Sequence, residues 1–457
     1  MLGLGPMRGL LQLVVLILAA CASLATAAEP PFAPAKAGER VVYRGATVID
    51  GTGARPRRAM AVITDGTRIE AVLPAARLTP RQLEGARLVD LTGRFLLPGL
   101  IDSHQHLATP PNARLAAALM RRELYSGVTS VRIMADDLRS IAELDRAARV
   151  GEIAAPDLYY AALVAGRSFF ADPRTEAVSF GYSPGEAPWA QAVDEATDIP
   201  LAIARARGTG AVALKIYADL PPDLVRRLAG EAHRQGLLVW AHGMVFPTSP
   251  AEVVAAAPDV VLHSCYLAYQ AMARRPQTYA DRFPVDAALF ANGDNEAMAV
   301  LFRTMRERGI ILDATLNVYD VIERSGRPTY CSLELAGNLT AQARRAGVLV
   351  SAGTDSPAPW SEPYPSLFNE IELLVRRAGF TPLEAIRAGT QISAMTLGKG
   401  DSLGVVAPSR VADFVVVERD PVGDIANLRS VLFTVKHGRR FDRADYVPIT
   451  AEEGEDG

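Results

Sequence analysis

Six histidines occur among the 457 residues, and four of them, His104, His106, His242 and His263, stand at or just beyond the ends of apolar, β-branched segments. His104 and His106 are two apart, and residues two apart on a strand face the same way, so both imidazoles can reach one ion. An isolated His-x-His equally describes two ordinary strand histidines. The company of the other two, and of Asp355 at the end of Ser351-Ala352-Gly353-Thr354-Asp355, turns the pattern toward a divalent-metal centre. Asp355 could ligate an ion or hold a proton; before Ser356-Pro357 it could also be a helix N-cap.

Lys215 lies inside Ala213-Leu214-Lys215-Ile216-Tyr217, an apolar strand where an ammonium is heavily penalised unless its charge is paired or removed. Beside two cations the amine is driven neutral. A neutral amine can take up carbon dioxide to give a carbamate, a carboxylate-like group able to bridge two metals. A salt-bridged lysine at a barrel rim is the alternative. Tyr217 shares the inward side of that strand, and Arg167 opens the segment after the third strand, which makes both candidates for substrate contact against the simpler readings of a packed tyrosine and a solvated arginine. His233, in a helical stretch, and His437, in a terminal hairpin, are read as non-catalytic, and Asp313 as a support to the site.

Eight β-rich runs, 95–107, 129–134, 158–164, 211–217, 237–242, 260–265, 310–316 and 348–353, alternate with helical patterns. They lack polar alternation, as strands buried on both faces do. The helical stretches are amphipathic: 222–234 places Leu224, Val225, Leu228 and Ala232 on one stripe. Eight such pairs predict an α/β fold of the (β/α)8 TIM-barrel kind over 95–401, whose working face lies at the C-terminal strand ends, where the four histidines, Lys215 and Asp355 would converge. The long segments 167–198 and 266–296 follow strands 3 and 6 and should lie over that mouth. Short β-rich pieces in 39–94 and 402–445 predict a small β-sandwich domain built from both chain ends.

Hydrophobic residues make up 49% of the chain and net charge is −3, with no long basic runs, which fits a large buried core and argues against nucleic acid as a partner. A small-molecule substrate is expected. Residues 1–28 read as an export signal: Arg8 precedes an apolar run too short to span a bilayer, and small residues follow. Leu18-Ala19-Ala20-Cys21 resembles a lipobox, whereas Ala25-Thr26-Ala27 suits ordinary cleavage; both readings place the protein in the periplasm or outside the cell, with membrane contact only through a lipid on Cys21. Cys265 and Cys331 then remain, no disulfide framework, and are expected as buried free thiols.

Taken together, Leu96-Leu97-Pro98-Gly99-Leu100-Ile101-Asp102-Ser103-His104-Gln105-His106, Lys215, Ala241-His242-Gly243, His263, Gly353-Thr354-Asp355, the stretch 382–390 and Ala412-Asp413-Phe414 closely resemble the amidohydrolase superfamily over nearly the whole mature chain. The lysine on strand 4 is most similar to the branch of prolidase-like and Xaa-Lys/Xaa-Arg dipeptidases. The resemblance implies a more buried metal on His104, His106 and Asp355, a more exposed one on His242 and His263, and a carbamate on Lys215 between them. It implies hydrolysis of an amide C–N bond of a dipeptide or N-acyl amino acid by a hydroxide shared by two divalent ions, with Asp355 passing its proton to the leaving group. Zinc is the first expectation, although the same donors accept manganese, cobalt or iron. Gly166-Arg167-Ser168 and Leu262-His263-Ser264 depart from the Gly-Gly-His-like and Glu-His-Gly elements usual in that branch, which loosens any transferred substrate.

A lactonase or other ester hydrolase would use the same core. A mononuclear deaminase needs an acid shortly after the strand 5 histidine, and His242-Gly243-Met244-Val245-Phe246 offers none. A non-enzymatic binding protein is the third reading, and the full set of six ligand candidates argues against it. Homo-oligomers are expected of such barrels, but no interface is legible.

Overall fold

The computed structural model describes residues 30–291 and 293–455; the leader 1–28, with Cys21, lies outside them. Eight parallel strands form the barrel: β1 Leu100–Gln105, β2 Val128–Met134, β3 Asp157–Ala165, β4 Ala213–Ile216, β5 Leu238–His242, β6 Val260–Leu262, β7 Ile311–Asp313 and β8 Val350–Ser351. Strands β2, β3 and β4 are buried at every position, because helices cover the sheet outside and side chains fill it inside. The last gap is closed by single bonds: the amide of Ser103 donates to Ala352 O at 2.9 Å and that of Asp355 to His104 O at 2.9 Å. Thr354 adds its amide and hydroxyl to Asp102, at 3.1 and 2.9 Å. The helix Pro222–Arg234 buries Leu224, Val225, Leu228, Ala229 and Ala232, the stripe its periodicity predicts.

Both chain ends build the β-sandwich domain. Arg439–Asp442, Val431–Lys436, Phe414–Val417, Phe95–Pro98, Arg40–Val48, Arg57–Asp65 and Arg68–Pro74 are neighbours in that order, and Arg87–Asp90 also pairs with Arg40–Val48. Tyr43 packs edge-on to Phe414 in its core, with ring centroids 5.0 Å apart. Asp157, at the start of β3, receives Lys436 Nζ at 2.8 Å and His437 Nε2 at 2.8 Å, so His437 joins the two domains. His233 meets Asp259 on the barrel exterior at 2.9 Å. Among the described residues no helix is long and apolar enough to cross a membrane.

Three expectations are corrected. The single run 95–107 is two strands, because Phe95–Pro98 pairs antiparallel with Phe414–Val417 in the β-domain and the barrel begins at Leu100. Gly99 makes the passage; a side chain there would collide with Thr129. The strands expected over 260–265 and 310–316 stop early, since His263 and Thr315 take left-handed backbone, with φ of 66° and 54°, and the helices Ser264–Leu267 and Leu316–Arg324 follow. Cys265 and Cys331 are not free thiols but a disulfide, Cα atoms 6.0 Å apart, formed because the turn after β6 brings Cys265 beneath the segment that leads into Leu333–Arg345.

Candidate metal centre and substrate cavity

His104 lies in β1 with His106 just beyond it, Lys215 in β4, His242 at the end of β5, His263 directly after β6 and Asp355 in the turn after β8. The C-terminal strand ends bring all six to the floor of one cavity, except that His104 sits just beneath it. Ala135, His263, Thr315 and Asp355, all on this rim, have positive φ without being glycine. Such backbone costs on the order of 1 kcal/mol per residue and is retained where it aims a side chain.

Asp355 is the meeting point. Its Oδ1 is 3.2 Å from His104 Nε2 and 3.3 Å from His106 Nε2, and its Oδ2 is 3.6 Å from His263 Nδ1. Ligand atoms of His104, His263 and Asp355 all lie within 4.8 Å of one another. The outer nitrogens are fixed by carboxylates: His104 Nδ1 lies 2.9 Å from Asp313 Oδ2, and His106 Nδ1 lies 3.2 Å from Asp136 Oδ1. Asp313 is in turn bound by Arg132 at 2.7 Å. Asp136 accepts from the amides of Leu107 and Ala108, at 2.5 and 3.0 Å, and from the Thr109 hydroxyl at 2.6 Å. A carboxylate on the outer nitrogen turns the inner one toward an ion and raises its basicity.

His242 gives the plainest test of whether a metal fits. Both of its ring nitrogens are buried without a hydrogen-bond partner, between Tyr217 at 3.9 Å and Tyr266 at 5.2 Å between ring centroids. An unpaired buried nitrogen is costly, and coordination would satisfy it. Lys215 is only 1% exposed and makes no ion pair among the described residues; its Nζ stands 5.0 Å from the Tyr217 ring. The residues therefore fit a divalent-metal site.

Burial pushes the Lys215 amine down to about 8, with Asp355 opposing. Burial pushes His263 down to about 3 and His242 well below the usual imidazole range, leaving both neutral, the form that ligates. Burial would raise Asp355, but His104 and its neighbours outweigh it and keep the carboxyl well below the ordinary range. Burial would likewise lower His106, yet Asp136 and Asp355 hold it raised.

The cavity above this floor has a volume of about 720 Å³. Phe169, Phe170 and Val178, from the segment after β3, and Tyr319 and Ile322, from the helix after β7, supply apolar lining. Tyr217 lines the cavity, whereas Arg167 is exposed and is not among its lining residues. Sequence reasoning missed Asp136, Arg132, Tyr266, Tyr279, Arg174 and Arg282. Only Asp136 carried a signal, two residues beyond a strand on the face where the histidines collect.

The profile of the Amidohydrolase family matches residues 95–441, from the last strand entering the barrel to the closing hairpin of the β-domain. Ochratoxinase of Aspergillus niger is 26% identical over 440 residues, 84% of this chain and 82% of its own. The crystal structure of A. niger ochratoxinase superposes with a TM-score of 0.70 at 22% identity, over 92% of this chain and 99% of that one. A Xaa-Pro dipeptidase with methionine in its active site gives 0.70 at 20% identity, over 88% and 100%. At such identities the structural likeness speaks for a shared fold, while the profile spans most of the chain, and the protein belongs to the Amidohydrolase family.

Proposed function

We propose that this protein hydrolyses the amide C–N bond of an N-acyl amino acid or a dipeptide with two divalent metal ions, zinc as the first expectation. His104, His106 and Asp355 would hold one and His242 and His263 the other, with Lys215, as its carbamate, between them. The observation that carries the reading is the convergence of His104, His106 and His263 on Asp355, with the unpartnered nitrogens of His242 alongside. When bound, the ions supply Lewis-acid polarisation of a carbonyl and an acidified water.

The chain's own residues provide the rest. Asp355, kept ionised, can take a proton and return it to the departing nitrogen, a step an amine leaving group needs and an alkoxide needs less. Lys215, buried in an apolar strand and shifted toward neutrality, has access to the neutral amine, the nucleophile that adds to the carbon of carbon dioxide and then gives up a proton. The aromatic and aliphatic walls leave room for an apolar substituent. Export to the periplasm or cell exterior, with or without a lipid on Cys21, is part of the proposal, and the Cys265–Cys331 disulfide suits an oxidising compartment.

The test is turnover of the zinc-loaded protein on a panel of N-acyl amino acids, dipeptides and lactones, with product identification. Release of a free amine from at least one amide substrate, at a rate well above its turnover of lactones, is expected. Lactone opening with no amide cleavage would overturn the assignment in favour of an ester hydrolase.

A further inference from the structure

Besides Lys215 on the floor, two wall arginines line the cavity, Arg174 exposed and Arg282 half-buried, and they are not equivalent. Arg174 is neutralised: it meets Asp172 through two nitrogens, at 3.0 and 2.7 Å, and Tyr279 Oη at 3.0 Å. Arg282, from the segment after β6, lies against the face of Tyr279 with its Cζ 3.3 Å from the ring centroid and donates to Tyr266 Oη at 2.6 Å. It makes no ion pair with any described residue. Arg327 stands at the exposed rim, bonded to Ser325 Oγ at 3.0 Å. A half-buried guanidinium held by phenols and a ring face, with Asp172 near enough to act on it but no described carboxylate in direct contact, is a prepared seat for an anion.

The seat is joined to the metal-binding residues by a single side chain. Tyr266, which receives the Arg282 donor, stacks on His242 at 5.2 Å with planes 22° apart. A substrate with its scissile carbonyl above the histidines would have to pass its leaving-side carboxylate across Tyr266 to meet Arg282. Two carboxylates line the cavity, and both are committed, Asp172 to Arg174 and Asp355 to the histidines. Neither is free to receive an ammonium, and the wall of Phe169, Phe170 and Val178 offers apolar surface instead.

We infer that Arg282 is a specificity-determining residue that binds the carboxylate of the substrate, and that the site takes N-acyl amino acids with an uncharged, apolar acyl group in preference to dipeptides that carry a free ammonium. This rests on the amide-hydrolase reading above and names its substrate class.

The test compares N-benzoyl-L-phenylalanine, its C-terminal carboxamide and L-phenylalanyl-L-phenylalanine as substrates of the zinc-loaded protein, wild type against Arg282→Gln, Arg282→Lys and Arg327→Gln. The acid should have a KM about 10-fold to 100-fold below that of the carboxamide. Arg282→Gln should raise the KM of the acid by that factor with little change in kcat and none for the carboxamide, Arg282→Lys should restore part of it, and Arg327→Gln should leave it unchanged. Equal KM for acid and carboxamide, a loss that follows Arg327 instead, or faster turnover of the dipeptide would overturn the inference. Should no amide be cleaved, the hydrolase reading fails separately. Arg282 is then judged on binding of N-benzenesulfonyl-L-phenylalanine, which cannot be cleaved as an amide: a Kd raised about 10-fold or more in Arg282→Gln supports it, and an unchanged Kd overturns it.

Discussion

The Nδ1 atom of His104, on the first barrel strand, lies 2.9 Å from Oδ2 of Asp313, on the seventh, and neither side chain is exposed. That contact fixes the ring so that Nε2 points at Asp355, and it leaves Asp313 balancing Arg132 as well, so burial of the carboxylate is outweighed and it stays ionised. Asp313→Asn removes both effects. Metal affinity should fall about 10-fold to 100-fold, and the uncompensated Arg132 should cost about 3 kcal/mol of stability. Competition with a fluorescent chelator reads the first and denaturant unfolding the second; unchanged values in both would contradict the role assigned to this pair.

Asp136 makes a prediction about pH. It and Asp355 hold His106 above the usual imidazole range, and a metal can bind only the deprotonated ring. Apparent metal affinity should therefore climb as pH rises through the raised His106 value. In Asp136→Asn the climb should move to lower pH while the plateau affinity drops about 10-fold, since the ring loses its orienting acceptor. Chelator competition across a pH series measures both, and a climb at the same pH in the variant would contradict the assignment.

Beneath the site, Gln105 donates to both Asp102 and Glu123, each at 2.9 Å. Burial, then the neighbouring Asp102, pushes Glu123 from 4.5 up to about 8. A carboxyl with a raised folded value is protonated in the fold, so its penalty is absent at acid pH and grows as pH climbs from about 4.5 toward 8. Glu123→Gln should consequently be close to neutral at pH near 5 and stabilising by about 1 to 3 kcal/mol at alkaline pH. Unfolding midpoints at the two pH values decide it, and a variant destabilised equally at both would show that Glu123 is ionised in the fold.

What could be read from the amino-acid order follows from where barrels put their chemistry. His104, Lys215, His242 and Asp355 lie in or just beyond apolar strands, and the C-terminal end of a strand in such a fold is a position in space as well as in sequence. Of the residues that tune them, Asp313 sits on a strand and is legible in the same way, whereas Asp136 carries only a weaker mark. Asp136 precedes Asp137, which caps the helix Leu138–Val150, so the pair reads as a helix start. Arg282 lies in a stretch without periodicity, and its lack of an anionic partner exists only in three dimensions. The Cys265–Cys331 bridge spans 66 residues, and its pairing depends on β6 ending at Leu262 rather than running on, a backbone turn at His263 that residue type does not announce.

The proposed two-metal centre depends on Lys215, so metal content per chain should follow its substitution. Protein recovered after export should be analysed by elemental mass spectrometry, wild type beside Lys215→Ala, with amide turnover followed on the same samples. Two metals per wild-type chain are expected and, in the variant, loss of one metal together with turnover. One metal per chain, unchanged by Lys215→Ala and with turnover retained, would contradict the two-metal centre and leave a mononuclear hydrolase.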